Sequence, residues 1–396
     1  MTSRARLLTF GLAAAWLAIG YLNVARGASH AGAGYRFWSF QHHCYSDVIA
    51  LHGDRYLGGG RPLPYLEDRI EYPVLLGIAL WLPSFAPGGA LGHFTVSYAL
   101  LALCLFAALL ALERLPGARP FWLGATPALV FYAGLNWDLL PIALLCGALL
   151  ALARDRPGAG GALTALGTSA KLFPGVLAPP ALLALAGDGA RAPLLRFGAG
   201  LAAALLAVNL PFALAAPAGW SWFFRFNAGR GAENSIWDAL GVGRGPLLEV
   251  LSTGPMLLAV ALACAAAWRA ARSGGDAGRA VRLGVALALT AWIATNKVWS
   301  PQYALYGFLA GALAAAPAGL FLVLCAASVA DFHIAFEVRA RRWEPWFRDH
   351  VFHPDGVVRS LLWLALAAWI ARELWRCARP APAEARAGAV SSPSTR

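Results

Sequence analysis

Charge is what this sequence has least of: Asp, Glu, Lys and Arg together make up 13% of its 396 residues, against 59% hydrophobic residues. No single water-soluble core of this length can hide so much apolar surface, so water is not the chain's main solvent. Strict alternation of polar and apolar residues is missing too, which excludes a membrane β-barrel. Of six cysteines, Cys104, Cys146, Cys264, Cys325 and Cys377 lie in or beside apolar runs, and only Cys44 sits in a polar loop. That scatter excludes a disulfide framework and a cysteine metal centre. There is no G-x-x-x-x-G-K-[ST] loop, G-x-S-x-G elbow or H-E-x-x-H helix, which removes nucleotide-driven pumps and the common hydrolases.

What is present is a series of long apolar runs, at 7–24, 93–112, 196–214, 247–268, 282–294 and 357–370, with a mean hydropathy of +0.59 over the chain. Each approaches the roughly 20 residues needed to cross a hydrocarbon core as a helix. The fold class expected is all-α and polytopic in the membrane. The net charge of +12 is spread over short loops, so it reads as positive-inside bias and not as a nucleic-acid surface. Arg154, Asp155 and Arg156, Arg191 and Arg196, the stretch 269–282, and 372–379 are taken as cytoplasmic. The segments 25–70, 136–138, 171–174, 219–246, 296–303 and 331–356 then share the outer face. Two full spans between Tyr72 and Leu112 would invert this arrangement. The Pro- and Gly-broken stretch from Pro73 to Gly89 is therefore expected to be partly inserted or re-entrant. About twelve spans result, with both termini inside. The stretch 157–190 is short for a full helical hairpin, and the Ala-, Pro- and Ser-rich tail, 380–396, is expected to be disordered. A single transmembrane domain thus covers 1–379.

Titratable residues interleaved with aromatics fill the first outer loop. If 40–56 were one surface helix, His43, Asp47 and Asp54 would fall on one stripe. A carboxylate at the rim of a low-dielectric cavity has a raised pKa and accepts a proton more readily near neutral pH. A solvated loop with ordinary surface charge is the alternative. His42 and His43 with Asp47 make a weak metal site, because adjacent His side chains point apart. Asn136 and Asp138 stand at an outer helix boundary, where Asp138 could simply cap a helix. Lys171 lies in an otherwise uncharged stretch at a cost of roughly 2.5 to 3.5 kcal/mol on insertion scales, which points to a site or a buried partner, with snorkelling as the alternative. Asn296, Lys297, Gln302 and Tyr303 bring amides and a second cation to the same face, and Asp331 and His333 are expected to close a further helix there. Arg225, Asn227, Arg230, Glu233 and Asn234 lie in an aromatic loop equally suited to anchoring at the interface. Cations suit a phosphate, and an aspartate suits a hydroxyl proton.

Taken in order, Tyr45-Ser46-Asp47, Pro64-Tyr65, Glu71-Tyr72-Pro73, Asn136-Trp137-Asp138, Lys171-Leu172-Phe173-Pro174, Phe223-Phe224-Arg225-Phe226-Asn227 and 296–303 (Asn-Lys-Val-Trp-Ser-Pro-Gln-Tyr) resemble the GT-C membrane glycosyltransferases. The closer resemblance is to family 87, the polyprenyl-phosphate-mannose-dependent α-mannosyltransferases. The resemblance runs almost end to end. It implies a GT-C fold in the plasma membrane, an active site on the extracytoplasmic face, and Asp47 as catalytic aspartate. The donor it implies is a polyprenyl monophosphate sugar, mannose by analogy. Lys171, Lys297, His333 and Arg225 are then expected at the donor phosphate. His43, Asp54, Glu71, Asn136, Asp138, Asn296, Gln302 and Tyr303 are expected at the sugar or the acceptor, a glycolipid or glycan. Many relatives carry a paired acidic motif where this chain has Val48 and Ile49 after Asp47, so metal-independent transfer is expected, without a cofactor. A non-catalytic transporter or flippase of lipid-linked sugars is the main alternative, and a ligase moving a preassembled glycan is a second.

Overall fold

A computed structural model describes residues 2–56, 59–189 and 191–377; the expected disordered tail, 380–396, lies outside the described residues. Among the described residues every regular element is a helix, and the only β pairing is two isolated bridges, Pro64 with Asp68 and Glu233 with Val298. Six helices among the described residues are long and apolar enough to cross a membrane, which makes this a helical, multi-pass membrane protein.

In chain order, α1 (Ser3–Ala25) rises to a polar loop holding α2 (Tyr35–Gln41) and α3 (Asp47–Arg55). The short α4 (Val74–Trp81) follows and runs into a 3-10 turn, Leu82–Phe85, ahead of α5 (Gly89–Arg114). Two brief helices, α6 (Phe121–Gly124) and α7 (Ala128–Tyr132), lead back to α8 (Leu139–Ala153), α9 (Pro157–Ala170), a 3-10 turn Phe173–Leu177, α10 (Ala178–Gly187) and α11 (Arg191–Ala215). The second half holds α12 (Pro217–Trp220), α13 (Trp222–Ala228), α14 (Ile236–Ala239), α15 (Pro246–Arg272) and α16 (Ala277–Thr295). It closes with a 3-10 turn Pro301–Tyr303, α17 (Ala304–Ala314), α18 (Ala318–Ala340), α19 (Pro345–Phe347) and α20 (His353–Cys377).

Packing grades the helices from centre to rim. The apolar stretch of α16 is 78% buried, whereas that of α11 is 6% buried, so α16 is the axis of the bundle and α11 meets lipid. Because lipid is as apolar as a leucine side chain, close fit and internal hydrogen bonds hold such a bundle together. Gly307 shows the fit: a Cβ there would stand 2.2 Å from the Trp363 ring, so only glycine lets α20 press against α17. At one end of the bundle, Arg6 meets Glu113 at 3.3 Å and Arg279 meets Glu373 at 3.7 Å. Arg282 is buried there, capping the carbonyls of Gly117 and Leu313. These are the ends rich in Arg, and the other end carries the polar loops.

Several expectations need correction. The 40–56 stretch is no single helix: α2 stops at Gln41, His43 takes a left-handed φ of 50°, and Ser46 starts α3 afresh by accepting from the Val48 amide. Asp47 is therefore the first residue of a helix; His43 drops out of the expected stripe, while Asp54, seven residues on, stays on the Asp47 side of α3. The 157–190 stretch, read as short for a full helical hairpin, holds two short arms with different neighbours: α9 packs on α8 and α11, and α10 packs mainly on α15. Asp331 and His333 do not close a helix, since α18 runs on to Ala340. One expectation is not overturned: the Pro-broken stretch after Pro73 is a short apolar helix and turn, Val74–Phe85, and not a full-length span.

Candidate functional site

The polar end of the bundle is assembled around the start of α3. The Ser46 hydroxyl donates to the Gly134 carbonyl at 2.6 Å, and the Asp47 amide donates to the Leu135 carbonyl at 2.8 Å. Gly134 itself packs against α5, where a Cβ would lie 2.6 Å from the Tyr98 ring. Two backbone contacts thus hold the first loop against the segment before α8, and the next residue on that segment reaches the carboxylate. Asn136 Nδ2 donates to Asp47 Oδ2 at 2.7 Å and to the Tyr72 hydroxyl at 2.9 Å. The other oxygen, Asp47 Oδ1, accepts from the Tyr45 hydroxyl at 2.7 Å, and Arg36 donates to that hydroxyl at 3.1 Å.

Asp47 is half-buried, and burial is the largest influence on it, raising its pKa above the ordinary aspartate value. The hydrogen bonds from Tyr45 and Asn136 pull the other way, as do the charges of Lys171 and Arg36. A carboxylate with two fixed donors and a raised pKa is oriented and still basic enough to take a proton.

Two residues beyond Asn136, Asp138 meets Lys171. Topology dictates this pair: α8 and α9 form an antiparallel hairpin, Asp138 directly precedes α8, and Lys171 directly follows α9. The cation faces a helix C-terminus and the anion a helix N-terminus, the favourable sense for both dipoles. Asp138 does not use its side chain to cap α8; one oxygen takes Lys171 and the Tyr306 hydroxyl, and Oδ2 has no partner among the described residues. Lys171 does not snorkel. Its side chain is 13% exposed, and its ammonium stands 5.7 Å from the centre of the Tyr303 ring while still acting on Asp47.

Of the predicted site residues, Asp47, Asn136, Asp138, Lys171 and Tyr303 are brought together. The others are engaged differently. Arg225, expected beside a phosphate, is exposed and donates to the Ala218 carbonyl at 2.6 Å, because α12 and α13 turn it back on its own loop. Lys297 reaches Glu249 of α15 at 2.5 Å, and His333 bonds His43 at 2.7 Å, with Glu337 3.4 Å from His43 on its other side. Asp54 pairs with Arg36 at 2.6 Å and Glu71 with Arg55 at 2.8 Å. Asn296 donates to the carbonyl of Val298, and Gln302 is buried beside Tyr303.

Sequence reading placed Arg230 and Glu233 only in the aromatic loop and passed over Arg339; the structure gives all three a place here. Arg230 pairs with Glu233 and lies within electrostatic reach of Tyr72 and Tyr303. Arg339, near the end of α18, lies within reach of Asp47, Tyr45 and Glu233. Arg230 first, through its hydrogen bond, then Arg244 and Arg339 hold the Glu233 carboxyl below its ordinary value. Glu233 is in turn fixed by backbone bonds: its amide donates to the Lys297 carbonyl at 2.8 Å, and its carbonyl accepts from the Trp299 amide at 2.9 Å. So Lys297 serves this wall through its backbone. Asp47 thus stands in a polar cluster in which Lys171, Arg36 and Arg339 act on it, while Asp138, Asp54 and Glu233 offset the neighbouring cations. No protein-family model matches this chain, and no curated protein matches it.

Proposed function

We propose that the protein is an inverting glycosyltransferase that moves a hexose, mannose by its resemblance to family 87, from a polyprenyl monophosphate to a glycolipid or glycan acceptor outside the plasma membrane. The observation that carries this reading is the pairing of Asp47, oriented by Tyr45 and Asn136, with Lys171 close enough to act on it. In the proposed reaction Asp47 takes the proton of the acceptor hydroxyl as its oxygen attacks the anomeric carbon. The bond from that carbon to the phosphate oxygen breaks, and the polyprenyl phosphate leaves with the electron pair. A phosphate leaving group needs its charge neutralised more than it needs a proton. Lys171, Arg230 and Arg339 are the cations best placed to do this, in place of Lys297, His333 and Arg225. Tyr72 and Asn136 would orient the acceptor.

The GT-C reading also fits the helix count. Besides the six long spans, the segments 121–132, 139–153, 157–170, 173–187, 301–314 and 353–377 alternate in direction and return the chain to its starting end. With Val74–Phe85 dipping in as a short apolar arm, both described ends lie at the basic face. By the positive-inside rule the cleft then opens outside.

The test is incubation of the purified protein with labelled polyprenyl-phosphate-mannose and a membrane lipid extract. A new labelled glycoside supports transfer. Movement of intact donor across reconstituted vesicles, with no new glycoside, would instead show a flippase.

A further inference from the structure

Ten buried side-chain nitrogen and oxygen atoms lack a hydrogen-bond partner among the described residues, and five of them belong to four residues: His52, Ser84, His93 (both ring nitrogens) and Ser97. Burying such an atom is costly unless something polar meets it. They gather in one place, away from the Asp47 cleft. The rings of His52 and His93, 3% and 0% exposed, have centroids 5.1 Å apart. The Tyr56 ring lies 5.8 Å from that of His93. Ser97 stands one turn further along α5 on the same face as His93. Arg61 stacks over Tyr56 at 5.8 Å and is pinned to the turn before α5 by its bond to the Ser84 carbonyl at 2.7 Å.

The charge around this group is of one sign. Arg61 acts on both imidazoles, while no carboxylate is among the groups acting on either. Asp68 reaches Tyr56 but is bonded to Arg55. Arg61, the imidazoles and the hydroxyls of Tyr56, Ser84 and Ser97 can all donate, and among the described residues Arg61 has only backbone carbonyls as acceptors. A metal cation is disfavoured by the guanidinium. An oxyanion matches every donor, and a guanidinium flanked by imidazoles suits phosphate best. The surroundings indicate its source. Leu82, Phe85 and Leu91, on the turn and the first turn of α5, are 55%, 58% and 48% exposed, a lipid-facing border at the polar end of the bundle.

We propose that His52, Arg61, His93 and Tyr56 form a second, non-catalytic site for a phosphate-class oxyanion, occupied by the headgroup of an anionic lipid. The site lies at the far end of α3 from Asp47, about 8 Å along the axis at the usual helical rise. A bound headgroup would therefore brace the helix that carries the carboxylate. The proposal stands whether or not the protein transfers a sugar.

The full chain in maltoside detergent is titrated separately with short-chain phosphatidylglycerol, short-chain phosphatidylcholine and inorganic phosphate, with binding read by native mass spectrometry and by the rise in Tm. Phosphatidylglycerol is expected to bind and stabilise, and phosphatidylcholine to do so far more weakly. Arg61→Gln and His93→Phe are each expected to weaken phosphatidylglycerol binding by about tenfold or more, the loss of one charge-assisted bond. His52→Gln serves as the third variant if either of those fails to fold. Binding of inorganic phosphate without binding of the lipid would keep the oxyanion class and overturn the headgroup as its source. Equal binding of the two lipids, or variants that bind as the wild type does, would mean a merely hydrated cluster and would overturn the proposal.

Discussion

At the scale of single residues, the account rests on how Asp47 is held. Its two oxygens each accept one side-chain bond, from Tyr45 and from Asn136, and both bonds favour the charged form. Removing either donor should raise the carboxyl's pKa further. Activity needs the unprotonated base, so it is lost as pH falls through that pKa, and the acid limb of kcat/KM should sit above the ordinary aspartate range. In Asn136→Ala that limb should move to higher pH, and turnover at neutral pH should fall by about tenfold to a hundredfold, the worth of one bond to a charged group. A pH–rate profile of the variant decides it; a limb that stays put or moves lower contradicts the assignment. In the sequence Asp47 stood out through the family resemblance, since an acid among aromatics equally suits a solvated loop. The short-range pairing was not legible there, because Asn136 reaches it across 89 residues of chain.

At the scale of elements, two buried ion pairs fix helix ends near the cleft. Lys171 and Asp138 tie the open ends of the α8–α9 hairpin. Lys171→Met should cost about 3 to 5 kcal/mol by leaving a buried carboxylate without its cation. Adding Asp138→Asn should recover much of that stability without recovering activity, as read by thermal unfolding in detergent together with transfer assays. Independent, additive losses would contradict the pairing. The second pair joins α18 to α20. Arg359, 3% exposed, bonds Asp331 and the Asn234 carbonyl, and its guanidinium lies 4.2 Å from the centre of the Trp299 ring. Trp299 in turn donates to Asp331 at 3.1 Å. Arg359→Met should therefore loosen the 233–234 and 296–303 walls together. Limited proteolysis is expected to cut both loops sooner, and unchanged digestion would contradict this. Sequence suggested a buried partner for Lys171 from the cost of its charge, but could not name Asp138 until the short α8–α9 hairpin was seen to bring their ends level. The role of Arg359 was not legible at all, since an Arg in the first turns of an apolar helix also suits a membrane boundary.

At the scale of the whole molecule, the apolar composition made a helical membrane bundle readable from the start, and the positions of Arg indicated one common face. Less legible were the broken crossings, where Pro and short apolar arms leave the length rule ambiguous, and the choice of cations, which depends on how loops fold back. Arg225 turns to its own backbone while Arg230, five residues on in the same loop, pairs with Glu233 near Tyr72 and Tyr303. The topology makes its own prediction. In a cysteine-free background, Gly243→Cys should be labelled by an impermeant maleimide on intact cells, and Ser273→Cys should be labelled only after permeabilisation. The reverse pattern would put the cleft on the cytoplasmic side.

The most direct test of the central claim compares purified wild type with Asp47→Asn, measuring both binding of polyprenyl-phosphate-mannose and single-turnover transfer to acceptor. The account predicts that the variant folds, binds donor within a few-fold of wild type and transfers no sugar. Transfer at a comparable rate, or loss of donor binding with the chemical step intact, would contradict the role of Asp47 as the base.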